Sequence, residues 1–160
     1  MRKQEVILNV NGNTHEIYMA PNISLLDTLR DKLYYYDVKS GCETGNCGAC
    51  TVLMDGQPVN SCLVLTVQAE EHEIVTVAGL GTEEKPHLLQ DAYSDLGAAQ
   101  CGFCIPGMIV ASAALLEENP SPTRDEIRKY LSGNICRCTG YQKAVDAVEF
   151  VAQQMAGAGG

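Results

Sequence analysis

Eight cysteines, in a chain of 160 residues, are the side chains whose type and spacing best predict chemistry. Seven of them lie in three short stretches, "CETGNCGAC", "QCGFC" and "ICRC", and the eighth is Cys62. A disulfide between Cys136 and Cys138 would close a very small, strained ring, so these two thiols serve another purpose. The N-terminal stretch "MRKQEVILNV" lacks the pattern of a signal peptide, and cytoplasmic proteins use clustered thiols for metal or redox chemistry. The pattern therefore favours metal–thiolate sites in a cytoplasmic protein over four disulfides.

The first cysteine set has the spacing of a plant-type ferredoxin site, Cys-x4-Cys-x2-Cys with a distant fourth ligand. It comprises Cys42, Cys47, Cys50 and Cys62. In such proteins four thiolates with this spacing bind one [2Fe–2S] cluster. Glycines at positions 41, 45 and 48 allow the backbone to curl around a cluster and to point N–H groups at its sulfurs. Structural zinc typically uses two closely spaced cysteine pairs, so zinc is the weaker interpretation of this set.

The second cysteine set lies in the other half of the chain. It comprises Cys101, Cys104, Cys136 and Cys138. In an extended Cys-x-Cys stretch the side chains at i and i+2 point the same way, so both can bind one cluster. Cys101 and Cys104 complete the site if the helices that follow "QCGFC" and "ICRC" begin side by side. The dipoles at these helix starts would also favour an anionic cluster. This spacing has several uses, and zinc remains an alternative on spacing alone.

The elements around the first set predict a β-rich domain. The stretch "EVILNV" alternates as a strand does, and the pairs "NG" at 11–12 and "DG" at 55–56 predict hairpin turns. The stretch "SLLDTLRDKL" predicts an amphipathic helix, and "EIVTV" at 73–77 predicts a closing strand. These elements predict a ferredoxin-like β-grasp domain over residues 1–78, followed by a linker, "GLGTEEKP", over residues 79–86.

The elements around the second set predict helices throughout residues 87–160. The stretch "HLLQDAYSDLG" predicts the first, and Pro106 suits the first turn of the second. Capping-box patterns at 123–126 and 139–142 predict the starts of the third and fourth. The chain is therefore predicted to be α+β, with a plant-type ferredoxin-like domain followed by a four-helix bundle that carries the second cysteine set.

Composition excludes several classes of function. Hydrophobic residues make up 46% of the chain, which indicates a globular protein rather than a disordered one. The net charge of −9 argues against nucleic-acid binding, because phosphate contacts require clustered Lys and Arg. The uncharged stretch 98–116 approaches the length of a membrane span, but Pro106 and Gly107 interrupt it. It therefore predicts a short buried helix and no membrane span.

Three motifs, in order, resemble the small iron–sulfur subunit of the molybdenum hydroxylases, the family of xanthine dehydrogenase, aldehyde oxidoreductase and CO dehydrogenase. They are "GCETGNCGACTV", "QCGFCIPGM" and "GNICRCTGY". The resemblance implies that the first set binds the cluster nearer the flavin and the second set the cluster nearer the molybdenum cofactor. It also implies that Gln100 lies close to the pterin, and that Cys138 both ligates iron and approaches the pterin. Two departures, Ile105 in place of a frequent threonine and the stretch "YYYDVKSG", remove no ligand.

The resemblance implies an electron-transfer subunit of an oxidoreductase, with no substrate site or catalytic residue of its own. The implied partners are a large subunit with the molybdenum–pterin cofactor and a medium FAD-binding subunit or another acceptor protein. Together they would form a hetero-oligomer such as a dimer of heterotrimers. Electrons would pass singly through the two clusters after oxidation of a purine, another N-heteroaromatic compound or an aldehyde. The alternatives are a stand-alone two-cluster ferredoxin and a zinc-stabilised interaction module.

Overall fold

The computed structural model describes residues 2–157, which form a mixed five-stranded sheet followed by a helical half. The strands are β1 (Gln4–Val10), β2 (Asn13–Met19), β3 (Thr51–Met54), β4 (Gln57–Asn60) and β5 (Glu73–Val75). The α-helices are α1 (Leu25–Asp27), α2 (Leu88–Asp95), α3 (Ile105–Glu118), α4 (Arg124–Tyr130) and α5 (Gln142–Gly157). The predicted α+β class is confirmed.

Two hairpins build most of the sheet, whose strand order is β2-β1-β5-β3-β4. Asn11 and Gly12 join β1 to β2, and Asp55 and Gly56 join β3 to β4. All four residues have positive φ, as the tight two-residue turns of hairpins require. Both predicted hairpins are therefore confirmed, and β5 joins them by pairing parallel to β1 and antiparallel to β3.

The helical segment of the first half covers one face of the sheet. Ser24 begins α1 by accepting a hydrogen bond from the Asp27 N–H at 3.1 Å. The chain continues through a π-helical turn at Thr28–Lys32, which the sequence pattern did not predict. The apolar stripe of this segment is buried with alternate residues of β1. This packing fixes where the chain enters the first cysteine loop.

The helices of the second half pack around a separate apolar core. The capping box at 123–126 is confirmed, since Thr123 and Glu126 exchange hydrogen bonds at the start of α4. The capping box predicted at 139–142 is wrong. The Thr139 hydroxyl lies 3.1 Å from the Cys136 Sγ instead, and α5 begins only at Gln142. The same hydroxyl accepts a hydrogen bond from the Tyr141 N–H at 3.4 Å, and Tyr141, with a φ of 68°, interrupts the helical backbone between Thr139 and α5.

The uncharged stretch forms the end of a loop and most of α3, whose residues are largely buried. Over residues 2–157, none of the helices combines the length and the apolar character that crossing a membrane requires. The prediction of a short buried helix at this place is confirmed. Its N-cap is Cys104, so the helix places one thiol of the second set directly at its start.

Candidate metal centres

The Cys42 thiol lies within a ring of backbone N–H groups in the loop that precedes β3. Its Sγ accepts hydrogen bonds from the N–H groups of Thr44 at 3.4 Å, Asn46 at 3.3 Å and Cys47 at 3.3 Å. The bonds from Thr44, followed by those from Cys47, lower the pKa of Cys42 to about 6. One of these bonds comes from the Cys47 side chain, so Cys42 and Cys47 are neighbouring thiols. Because metal ions bind the thiolate form, this loop prepares Cys42 to act as a ligand.

The β3–β4 hairpin brings the other two thiols of the first set together. Thr51 pairs with Asn60 at the end of the β3–β4 ladder. Cys50, just before Thr51, and Cys62, two residues after Asn60, therefore lie close together beyond that pair. The Ser61 hydroxyl donates a hydrogen bond to the Cys50 carbonyl oxygen at 2.8 Å and so connects the two chain segments that carry these cysteines. Burial, with a contribution from the neighbouring Cys50 thiol, raises the pKa of Cys62 to about 11. Strand register thus places these two sulfurs side by side.

The second set also divides into two neighbouring thiol pairs. The Sγ atoms of Cys138 and Cys101 are 3.6 Å apart at the surface. Cys104 and Cys136 form an inner pair, and burial together with the Cys136 thiol raises the pKa of Cys104 to about 12. Although burial opposes its ionisation, hydrogen bonds from Thr139 lower the pKa of Cys136 to about 7. The first of these pairs is therefore exposed, and the second consists of a buried and a half-buried thiol.

This pairwise arrangement fits clusters of two metal ions. All eight cysteines are free thiols. Within residues 2–157, no three His, Cys, Asp or Glu side chains lie close enough together to hold a single ion. A zinc site needs about four ligands around one centre, whereas a [2Fe–2S] cluster takes about four thiolates shared between two irons. The pairs can supply two sulfurs for each iron of such a cluster.

The exposed part of the second site also holds the predicted pterin-contacting residue. Gln100 is exposed and directly precedes Cys101, which is itself exposed beside Cys138. The remaining thiols of both sets are at least half-buried. The second site therefore reaches the surface through Gln100, Cys101 and Cys138.

Three residues that sequence reasoning missed lie around the sites. The Tyr141 hydroxyl accepts a hydrogen bond from the Cys136 N–H at 2.8 Å. The ring of Phe103 from the second motif packs 3.6 Å from where a Cβ at Gly41 would lie. The Ile135 N–H donates to the Cys47 carbonyl oxygen at 2.8 Å, which links the two cysteine sets through backbone atoms. The contacts of Phe103 and Ile135 join distant parts of the chain, so residue spacing gives no signature of them.

Replacing Thr139 by Val should lower the reduction potential of a cluster bound by the second set. Once iron holds the Cys136 sulfur, only the Thr139 hydroxyl can donate in the 3.1 Å contact, and donors to sulfur stabilise the reduced cluster. Loss of one hydrogen bond of about 1 kcal/mol corresponds to a shift of about −40 mV for a one-electron couple. Redox titration followed by EPR measures it. Thr139→Ser keeps the hydroxyl and should retain the original potential, so equal shifts in both variants would contradict the assignment.

Two family models match the chain in succession. A 2Fe-2S iron-sulfur cluster binding domain matches residues 8–77, and a [2Fe-2S] binding domain matches residues 76–149. The two matches meet where the sheet ends and the helical half begins. Each matched segment contains one of the two cysteine sets.

Several known proteins resemble the chain along its length. The nicotinate dehydrogenase small FeS subunit of Eubacterium barkeri is 47% identical over 98% of this chain and 99% of its own length. The nicotine 6-hydroxylase small subunit of Paenarthrobacter nicotinovorans is 45% identical over 90% of this chain and 87% of its own length.

Solved structures show the same likeness. In quinoline 2-oxidoreductase from Pseudomonas putida 86, a chain superposes with a TM-score of 0.93 at 44% identity, covering 100% of this chain and 99% of that one. The aldehyde oxidoreductase of Desulfovibrio desulfuricans ATCC 27774 superposes with a TM-score of 0.92 at 44% identity. That match covers 96% of this chain and 17% of the longer aldehyde oxidoreductase chain.

Proposed function

The chain belongs to the small iron–sulfur subunits of the molybdenum hydroxylases, and we propose that its eight cysteines are the ligands of two [2Fe–2S] clusters. The presence of two [2Fe–2S] domains, predicted from the cysteine sets together with the resemblance, is confirmed by the two family models. The subunit's role is electron transfer within an oxidoreductase of the xanthine dehydrogenase family. The observation that carries the ligand assignment is the pairing of the thiols.

We assign one thiol pair to each iron. In the first site the pairs are Cys42 with Cys47 and Cys50 with Cys62; in the second they are Cys101 with Cys138 and Cys104 with Cys136. A [2Fe–2S] cluster supplies the ability to accept and release one electron at a time. The chain's own residues bind it through thiolates, stabilise its negative charge through N–H groups, and exclude water from the inner pairs.

The protein backbone offers a short connection between the sites. The Cys47 carbonyl oxygen and the Ile135 N–H share a hydrogen bond, and Ile135 directly precedes Cys136. A ligand of the first site is therefore one hydrogen bond and a few covalent bonds away from a ligand of the second. This connection supports stepwise transfer of single electrons across the chain.

The exposed end of the second site suits contact with a partner. We place the molybdenum–pterin cofactor of a large subunit near Gln100 and Cys138, because Gln100, Cys101 and Cys138 form the exposed edge of this site. The first site would then face the FAD of a medium subunit or another acceptor protein. The relatives include subunits named for nicotinate dehydrogenase and nicotine 6-hydroxylase. An N-heteroaromatic substrate for the complex is therefore favoured over a purine or an aldehyde.

The domain boundaries follow from the same elements. We assign the ferredoxin-like β-grasp domain to residues 1–78, the linker to 79–86 and the helical cluster-binding domain to 87–160; residue 1 and residues 158–160 lie outside the described range. The five-stranded sheet with its covering helix supports the first assignment. The shared core of α2, α3, α4 and α5 supports a four-helix bundle in the second. A cytoplasmic hetero-oligomer, such as a dimer of heterotrimers, is the assembly in which we expect the chain.

Anaerobic purification of the native protein tests this function. We expect brown material that bleaches with dithionite and contains about four irons and about four inorganic sulfides per chain. We also expect the chain to co-elute with larger subunits on size exclusion. Colourless, zinc-containing protein would contradict the cluster assignment. Brown protein that elutes alone at the 17.2 kDa of the chain would favour the stand-alone ferredoxin.

A further inference from the structure

The carbonyl group of Gly48 is held from both halves of the chain. Gly48 lies between Cys47 and Cys50, and its oxygen accepts from the Thr51 hydroxyl at 2.7 Å and the Thr51 N–H at 3.2 Å. The side-chain amide of Asn134, from the second cysteine motif, donates to the same oxygen at 2.9 Å. Asn134 is only 4% exposed, so water cannot replace this bond. The two cysteine motifs therefore share one buried anchor.

Glycine is required on both sides of this contact. A Cβ at Gly107, in the first turn of α3, would overlap the Gly48 carbonyl oxygen. A Cβ at Gly48 would overlap the carbonyl oxygen of Gly133, and Gly48 has a φ of 68°. The contact is therefore made largely by backbone atoms, which cannot change rotamer to absorb a displacement.

We propose that Asn134 and Gly107 are positioning residues that set the separation and electronic coupling of the two clusters. Asn134 stands two residues before Cys136, and Gly107 stands three residues after Cys104. Gly48 directly follows Cys47, whose carbonyl oxygen accepts from Ile135. A displacement of the Gly48 carbonyl or of the groups that contact it therefore reaches a cysteine ligand of each cluster within three residues along the chain. The inference rests on the proposed function, because it concerns the two clusters assigned there.

Gly107→Ala tests this inference. The added methyl group must displace the Gly48 carbonyl by roughly 1 Å to reach an ordinary contact distance. In protein reduced by dithionite, both clusters carry one unpaired electron, and the magnetic interaction between them weakens as their separation grows. Low-temperature EPR should therefore show a smaller splitting in Gly107→Ala than in the unchanged protein, with slower electron transfer between the clusters.

The matched control is Gly133→Ala, whose added Cβ meets no atom within 4 Å. It should keep the original splitting. Splitting in Gly107→Ala equal to that of the unchanged protein, at equal iron content, would overturn the inference. If Gly107→Ala does not assemble, Asn134→Asp carries the test: the same shape then presents a carboxylate oxygen to the Gly48 oxygen, and the splitting should again decrease. An unaltered splitting in Asn134→Asp would also overturn the inference.

The outcomes separate this inference from the proposed function. The proposed function fails if the unchanged protein lacks about four irons, whatever the variants show. The positioning role fails if the unchanged protein is fully loaded and the variants keep its splitting. A residue that contributes stability alone would lower iron content or the melting temperature without altering the splitting in the fully loaded fraction.

Discussion

Replacing Cys138 by Ser should leave the chain with one cluster instead of two and stop turnover of the assembled enzyme. The Cys138 Sγ lies 3.6 Å from the Cys101 Sγ in the exposed pair of the second site. Serine offers a hydroxyl that ionises far less readily than a thiol and suits iron–sulfur chemistry poorly. The iron content should fall from about four to about two per chain, and one of the two EPR signals should disappear.

Cys42→Ser is the complementary variant for this experiment. It removes a ligand of the first site, so it should abolish the other EPR signal and keep the one that Cys138→Ser loses. Each variant thereby serves as the control for the integrity of the rest of the chain. Two unchanged EPR signals and normal turnover in Cys138→Ser would show that Cys138 is not a ligand.

Replacing Gly41 by Ala should selectively impair the first cluster. The new Cβ would lie 2.8 Å from the Cys47 Sγ and 3.6 Å from the Phe103 ring. A free thiol could turn away from this overlap, but a sulfur bound to iron cannot move without breaking its metal bond. We expect the iron content to fall toward about two per chain, with loss of the first cluster's EPR signal and retention of the second.

The Gly133→Ala variant is again a suitable control, because open space surrounds that position. It should keep about four irons and both signals. Full intensity of both EPR signals in Gly41→Ala would mean that the loop can widen around the cluster. The close approach at Gly41 would then have no role in cluster binding.

Local patterns in the chain predicted the features that depend on neighbours in sequence. The "NG" and "DG" pairs identified both hairpins, because positive φ at two adjacent positions is a property of those residues themselves. The capping box at 123–126 succeeded for the same reason. The similar pattern at 139–142 failed because Tyr141 has a φ of 68°, so the backbone is not helical between Thr139 and the start of α5 at Gln142. The ligand assignments and the contact of Gln100 with a pterin stay predictions.

The sequence by itself determined that the chain has two sets of closely spaced cysteines, one in a β-rich half and one in a helical half, because cysteine spacing and element periodicity are local properties. Only the tertiary structure decided which thiols are neighbours, that Cys101 and Cys138 are exposed while Cys104 is buried and Cys136 is half-buried, and that Asn134 donates to the Gly48 carbonyl. Those features join residues up to 86 positions apart. Contacts over such separations depend on how the sheet and the helices pack, which no short stretch of residues specifies.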